Sequence, residues 1–312
     1  LYTMRKAHRD MVHYYLDSLA LPRAKAITLH ANLAHVPTYF HDSELIDAIL
    51  ATGRAMLPGV THYIRRTQRD DRGTPEFWVQ YLREHRLDIQ NLVSSYNSLN
   101  AFNMEELAVF PLHHIATMVL AGRIIGEARA IQVFQYHRDR KTWAWDATAT
   151  PLPAGTFNVE GLIANTATEA LITIELTANL DSESLPSNLS AAITNGQMPW
   201  VRITIPNPNG ACINHPDDLN QFTRVARQAI NHVQDVMRVR RVHLIAISPA
   251  STLFCFGQML QAGHHPTYTI YDRANRDTPF GEAFSISGHE VVARAGPQPT
   301  TISIRYGAEA WL

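Results

Sequence analysis

The sequence has little cysteine, little net charge and no long apolar run. Its 312 residues include two cysteines, Cys212 and Cys255, which excludes a disulfide-stabilised scaffold or a cysteine-rich zinc module and fits a reducing cytosol. No apolar segment approaches the ~18 residues of a membrane helix, and the N-terminal segment is too basic and too polar for a signal peptide. The formal charge of −1 argues against a protein that binds duplex DNA over one whole surface, because such a surface needs clustered Lys and Arg.

The common catalytic motifs are also missing. The chain contains no Gly-x-Gly-x-x-Gly, no Gly-Lys-Ser/Thr, no His-Glu-x-x-His and no Gly-x-Ser-x-Gly, which disfavours a nicotinamide enzyme, a nucleoside triphosphatase, a zinc protease and an α/β-hydrolase. Sixteen histidines are many for this length. The side chains of the adjacent pairs His113-His114 and His264-His265 diverge on a helix or a strand, however, so such pairs rarely share a metal. We therefore predict no catalytic residue, no metal site and no cofactor in this chain.

What the sequence does contain is an internal repeat. In the second half, a helix predicted at 217–238 precedes a strand at 242–247, a helix at 251–262 and a strand at 267–271; the first half shows the same order at 76–99, 107–112, 114–126 and 130–136. Four pairs of identical residues are each separated by 135 positions, namely Thr117 and Thr252, Gly122 and Gly257, Tyr136 and Tyr271, and Arg138 and Arg273. A constant separation without gaps favours a duplication.

The repeat predicts the fold. Opening strands at 26–31 and 171–177, weaker helices at 43–56 and 186–194, and second strands at 60–66 and 200–205 give each half the order βαβαβαβ. We predict an α/β protein of two Rossmann-like halves related by a pseudo-twofold axis, with mostly parallel sheets flanked by helices. The Pro- and Gly-containing stretch 151–155 is the predicted linker, so the halves are residues 1–150 and 151–312. Such sheets bind ligands outside the carboxyl ends of their strands.

Two predicted helix starts are candidate phosphate sites. The first comprises Ser248, Pro249, Ser251 and Thr252, and the second, at the equivalent place in the first half, comprises His113 and His114. Free N–H groups and the helix dipole at such a start can hold a phosphate group, and small side chains let a ligand approach closely. The alternative is ordinary N-capping by Ser248 or Ser251. The residues alone leave both roles open.

Aromatic and basic side chains follow the later strand of each half. They are Tyr136, Arg138 and Trp143 in the first half, and Tyr271, Arg273, Asn275, Arg276 and Phe280 in the second. An aromatic ring can stack on a base and a guanidinium group can bind phosphate, so we predict that both clusters bind a nucleotide ligand. We expect Arg273→Ala to abolish most of this binding. The alternatives are a solvated loop with ordinary ion pairs and, for Trp143, packing against the sheet.

These residues resemble the SAVED domains of bacterial anti-phage signalling systems (CBASS). The matching positions are Phe110, Leu112, Ile115, Gly122, His137-Arg138 and Trp143-Ala144-Trp145 in the first half, and His243-Leu244, Pro249, Gly257, Tyr271-Asp272 and Phe284 in the second. With the predicted helix at 217–238, the resemblance covers most of the chain from Glu76 onward. His114 and Ala116 stand where the family often has prolines, so the first-half loop is expected to bind the ligand differently or hardly at all.

The resemblance implies a function. Two fused CARF-like units would bind a cyclic di- or trinucleotide made by a partner cyclase, associate head-to-tail and switch on a fused effector in the bacterial cytoplasm, with no membrane partner. Residues 1–19 resemble the helix that joins an HNH nuclease to SAVED in one branch of these effectors. Because the chain starts at Leu1, we expect an upstream endonuclease that alone contacts DNA and alone needs a divalent metal.

The residues are also compatible with two other functions. One is a CARF-like ring nuclease that cleaves its cyclic nucleotide with acid or base help from His113, His137 or Lys141. The other is a Rossmann-like binder of an unrelated metabolite.

Overall fold

The computed structural model describes residues 2–33, 40–66, 72–96, 106–164, 166–260 and 265–305, whose strands form two sheets. The first sheet has four parallel strands in the order β2-β1-β3-β4. These strands are β1 (Arg23–Ala31), β2 (Ala55–Arg66), β3 (Glu106–Leu112) and β4 (Ile131–Val133), and the helices of this half are α1 (Tyr2–Ser18), α2 (Asp42–Leu50), α3 (Pro75–Glu84), α4 (Arg86–Tyr96) and α5 (Ile115–Ile125). The predicted helix ends at 99 and 262, and His264, lie outside the described residues.

The second sheet has eight strands. Its centre consists of four parallel strands in the order β7-β6-β8-β9, namely β6 (Glu169–Glu175), β7 (Trp200–Thr204), β8 (Arg241–Ile247) and β9 (Thr267–Asp272). Antiparallel strands extend it, with β5 (Asn158–Glu160) beside β7 and with β10 (Gly281–Ser287), β11 (Glu290–Ala293) and β12 (Thr300–Ser303) beyond β9. The helices are α6 (Ser187–Thr194), α7 (Pro216–Asn231) and α8 (Ala250–Gln258).

The structure confirms the predicted α/β fold and the repeat. The four central strands have the same order in both sheets. The bounds of β3 and β8, and the first residues of α5 and α8, are each separated by the 135 positions read from the sequence. The antiparallel strands were not predicted, because all of them except β10 have three or four residues, too few to show an alternation of their own. The division at residue 150 stays a prediction.

Two predicted helices are interrupted in the structure. The segment at 76–99 forms α3 and α4, which are separated at His85, where the backbone leaves the helical region with φ −96° and ψ 13°. The segment at 217–238 forms α7 followed by a π-helical turn, His232–Val236. α2 ends at Leu50, so residues 55 and 56, predicted as helical, belong to β2. Local apolar periodicity continues across such breaks, which explains these errors.

α5 and α8 join the two halves. They pack against each other, and each contacts the sheet of the opposite half, α8 at β3 and α5 at β9. Every residue of α5 from Ala116 to Ile125 is buried, as are all those of α8 from Ser251 to Gly257. A helix that is apolar on all sides belongs in a core rather than at a surface. The paired helices therefore bring the carboxyl ends of β3 and β8 close together. None of the helices in the described ranges is long and apolar enough to span a membrane.

Candidate functional site

The carboxyl ends of β3 and β8, with the helix starts that follow them, border a cleft of about 250 Å³ between the two halves. We call it the central cleft. Its first-half lining is Leu33, Arg72, Leu112, His113, His114, Ile115, Gln135, Tyr136 and Arg138, and its second-half lining is Thr177, Gly210, Ser248, Pro249, Ala250 and Leu253. The structure thus brings together six predicted residues, namely His113, His114, Tyr136, Arg138, Ser248 and Pro249.

The central cleft is lined by positive charge. Arg72 and Arg138 line it, and none of its lining residues is acidic. Arg138 is exposed and makes no hydrogen bond or ion pair with any residue that the structure describes. A guanidinium group in this state can form bidentate hydrogen bonds with a phosphate group.

His113 and His114 are buried and neutral. The His113 Nε2 donates to the carbonyl of Ile64 at 2.9 Å, and its Nδ1 accepts from the His114 N–H at 2.8 Å, which fixes the tautomer. Burial holds the pKa of both imidazoles well below the ordinary value; repulsion from His113 and Arg72 lowers that of His114 further. The His114 Nδ1 accepts from Arg72 at 3.0 Å, while its buried Nε2 has no partner among the described residues. These rings act as neutral hydrogen-bonding groups.

At the start of α8, the predicted hydroxyl groups are used inside the protein. Ser251 and Thr252 are buried; the Ser251 hydroxyl donates to the side-chain oxygen of Gln135 at 2.6 Å, and the Thr252 hydroxyl donates to the carbonyl of Pro249 at 2.7 Å. Pro249 is the N-cap residue and offers no side-chain acceptor to the N–H groups of the first turn. The contact between Ser251 and Gln135 fastens this helix start to the other half.

At the start of α5, a carboxylate from the second half lies near the N–H groups of the first turn. Asp272, the last residue of β9, is buried. Burial raises the pKa of its carboxyl group above the ordinary value, and Arg72 and the N–H groups of Arg273, Ile115 and Ala116 offset part of this rise. The positive end of α5 is therefore already matched to an anion of the protein itself. The residue 135 positions before Asp272 is His137, so the repeat places no carboxylate at the equivalent position of the first half.

A second cleft, of about 390 Å³, contains the basic cluster predicted in the second half. We call it the lateral cleft; it is lined by Ala178, Asn179, Asp181, Glu183, Ser184, Ile247, Arg273, Arg276, Asp277, Thr278 and Pro279. Its two arginines face three carboxylates, so it is less suited to a polyanion than the central cleft. The Arg273 guanidinium lies 4.5 Å from the centre of the Phe280 ring. The Asn275 side chain closes a turn by accepting from the Asp277 N–H at 2.9 Å.

The predicted aromatic residues are placed differently in the two halves. Tyr136 lines the central cleft although it is 3% exposed, and it packs on Trp143, whose ring is buried against Phe110. Tyr271 lines neither cleft. Its ring is 4% exposed, and its hydroxyl lies 2.9 Å from the Nδ1 of His243. Phe280 is buried beneath Arg273.

Sequence reasoning missed Arg72 and Gln135. Arg72 has no counterpart in the repeat and reaches the cleft from 42 residues before His114. Gln135 lies directly before Tyr136 and could have been included as a neighbour of a predicted residue. Among the residues that the structure describes, no group of three or more His, Cys, Asp or Glu side chains could hold a metal ion.

Comparisons with known proteins agree with the fold. A family model, described as the SMODS-associated and fused to various effectors sensor domain (SAVED), matches residues 90–286, more than half of the chain. The chain resembles the Cap4 SAVED/CARF-domain containing receptor of Acinetobacter baumannii in its structure with the cyclic trinucleotide 2'3'3'-cAAA, at 15% identity and a TM-score of 0.52, covering 89% of this chain and 55% of that one.

The same receptor with 3'3'3'-cAAA matches at 13% identity and a TM-score of 0.52, again covering 89% of this chain and 55% of that one. The chain therefore spans about half the length of these receptors. A comparison with curated protein sequences finds no match.

Proposed function

The chain belongs to the SAVED family of sensor domains, and from this we propose that it senses a cyclic di- or trinucleotide in a CBASS anti-phage system and binds it in the central cleft. The Acinetobacter baumannii Cap4 receptor, which shares its fold, binds two different cyclic trinucleotides in its structures. Effector activity, where present, belongs to other parts of the protein.

The composition of the central cleft is the observation that carries this proposal. Arg72 and Arg138 line the cleft together with Tyr136, and no lining residue is acidic. The Arg138 guanidinium has no ion-pair partner among the described residues, whereas Arg72 lies 3.6 Å from the buried Asp272, which does not line the cleft. A cyclic dinucleotide or trinucleotide carries two or three phosphate charges, which two guanidinium groups and the first-turn N–H groups of α8 can balance. The volume of about 250 Å³ is below that of most pockets for whole ligands, so the cleft holds the phosphate-bearing part of the ring.

The histidines favour binding over cleavage. A general acid or base works best with a pKa near the working pH. Burial lowers the pKa of His137 to about 4, and that of His113 lies well below its ordinary value. Both ring nitrogens of His113 are already hydrogen-bonded. These features support a sensor rather than a ring nuclease.

The proposal also covers how the ligand is supplied and what its binding activates. A partner cyclase would supply the ligand, binding would drive head-to-tail self-association in the cytoplasm, and a fused HNH endonuclease with its own divalent metal would cut DNA. Under this proposal, residues 1–150 and 151–312 are the two CARF-like units, and α1 links them to the nuclease.

The test is a ligand panel. Thermal shift and calorimetric titration of the chain with cyclic dinucleotides and trinucleotides should give a rise in Tm for at least one member, because a ligand that binds only the native state stabilises it. Linear dinucleotides and mononucleotides serve as controls for general phosphate binding. No shift with any cyclic member at concentrations far above micromolar overturns the proposal. Linear products in the same incubations would instead support the ring nuclease.

A further inference from the structure

One side chain connects the central cleft to the second half. The Arg72 Nη1 donates to the Nδ1 of His114 at 3.0 Å and lies 3.6 Å from the Oδ1 of Asp272. Its Nη2 donates to the carbonyl of Ala274 at 3.1 Å. Arg72 also lines the cleft, so the same guanidinium group is within reach of a ligand and of the loop that follows β9.

Asp272 depends on this guanidinium group. Its side chain is 1% exposed, and Arg72 is its ion-pair partner within the described part of the chain. The Oδ1 accepts from the Arg273 N–H at 2.7 Å, whereas the Oδ2 has no hydrogen bond of good geometry. A buried carboxylate that loses its cation is strongly destabilising. Asp272 therefore ties the position of the following loop to that of Arg72.

The loop after Asp272 forms one wall of the lateral cleft. Arg273 reaches the Ser184 hydroxyl at 3.4 Å and lies over the Phe280 ring, and the Phe280 N–H donates to the Ser184 carbonyl at 3.0 Å. The segment 273–280 joins β9 to β10, whose residues Asp272 and Gly281 are paired. Arg72 binds it near its start through Ala274, and Ser184 binds it at its end.

We infer that Arg72 couples the two clefts. A phosphate group in the central cleft accepts hydrogen bonds from the Arg72 guanidinium group, which then no longer contacts Ala274 and Asp272. Without these contacts the segment 273–280 is released. A phosphate can accept two parallel hydrogen bonds from a guanidinium group, whereas Asp272 approaches Arg72 at 3.6 Å. That the phosphate group belongs to a cyclic nucleotide rests on the proposed function. The contacts of Arg72 in the free protein are independent of that proposal.

The first experiment needs no ligand. Hydrogen exchange of the segment 273–280 is measured in the wild-type chain and in Arg72→Ala, Arg72→Lys and Arg72→Ala with Asp272→Asn. Arg72→Ala should exchange about tenfold faster or more in this segment, the factor expected for the loss of a charge-assisted hydrogen bond. Arg72→Lys keeps a charge beside Asp272 but lacks the fork that reaches both His114 and Ala274, so it should fold and still exchange faster.

The double variant distinguishes the loss of the contact between Arg72 and the segment 273–280 from a general loss of stability. Asp272→Asn should restore part of the Tm lost in Arg72→Ala, because it removes the uncompensated buried charge. If exchange in 273–280 is the same in wild type, Arg72→Ala and Arg72→Lys, the inference is wrong.

The second experiment adds 3'3'3'-cAAA as the probe. Binding should speed exchange of 273–280 in the wild type and leave it unchanged in Arg72→Lys. Binding that slows or does not alter this exchange in the wild type contradicts the release. If no member of the cyclic panel binds the wild type, the proposed function is wrong, and the comparison without ligand still decides whether Arg72 holds the segment.

Discussion

Gly122 of α5 and Gly257 of α8 occupy equivalent positions in the repeat, and each lies directly against a main-chain carbonyl of the other helix. A Cβ atom on Gly122 would lie 2.1 Å from the Phe254 oxygen, and one on Gly257 would lie 2.2 Å from the Val119 oxygen. Val119 and Phe254 are themselves separated by 135 positions. The contact is therefore symmetric, and it sets how closely the two halves approach around the central cleft.

Gly122→Ala should lower the free energy of unfolding. Helix propensity alone favours alanine by about 1 kcal/mol, whereas the clash with the Phe254 carbonyl requires the helices to separate, at a cost of about 1–3 kcal/mol. Urea denaturation measures the difference. Gly210→Ala is the control, since nothing lies within 4 Å of the added methyl group. A stabilised Gly122→Ala would show that the helices do not pack this closely.

Arg138→Ala should weaken cyclic nucleotide binding about tenfold to a hundredfold, the effect of losing a hydrogen bond to a charged group. Arg140→Ala is the matched control, because Arg140 is exposed in the same turn and lines neither cleft. Arg273→Ala tests the expectation, drawn from the sequence, that loss of Arg273 abolishes most of the binding. If Arg273→Ala abolishes binding and Arg138→Ala does not, the ligand occupies the lateral cleft. Calorimetric titration gives the affinities.

Tyr136→Leu and Tyr271→Leu should have different effects. Tyr136 lines the central cleft, so we expect loss of its ring to reduce the affinity about fivefold or more, the lower end of what a contact between a ring and a base contributes. Tyr271 lines neither cleft, and its hydroxyl bonds His243, so Tyr271→Leu should lower Tm and leave the affinity unchanged. Both quantities are measured on each variant. Equal losses of affinity would place stacking at both rings, as the repeat predicts.

His137 should make stability depend on pH. Burial lowers its pKa from 6.5 to about 4 in the folded chain. Between these values the unfolded chain binds more protons, so the free energy of unfolding rises with pH, by up to about 1.4 kcal/mol per pH unit for this group. The stability is present above pH 6.5 and is lost as the pH falls towards 4.

His137→Asn should therefore flatten the slope of unfolding free energy against pH by about that amount between pH 4.5 and 6. Denaturation at pH 8, where this imidazole is neutral in both states, provides the reference for the variant's intrinsic stability. Parallel slopes for wild type and variant would mean that this imidazole is protonated equally in the folded and unfolded chains.

Much of the architecture could be read from the sequence. The predicted helix starts at 114 and 251 lie within one residue of the observed starts of α5 and α8, because repeated segments carry the same local pattern of apolar residues and turns. The residue types at the strand ends predicted that an aromatic and basic cluster in each half binds a nucleotide, and this stays a prediction. Arg72 escaped notice, since its contact with Ala274 joins residues 202 positions apart and no local pattern marks such a pair.

The sequence by itself determined the two-fold α/β design, the family resemblance and the strand ends where a ligand could bind. Only the tertiary structure decided which side chains surround each copy of a repeated residue. Arg138 and Arg273 have the same local sequence signal, yet one lines a cleft without carboxylates and the other lies among three. The physical reason is that local patterns fix the backbone of each half, whereas burial and charge depend on the side chains that the opposite half brings against it.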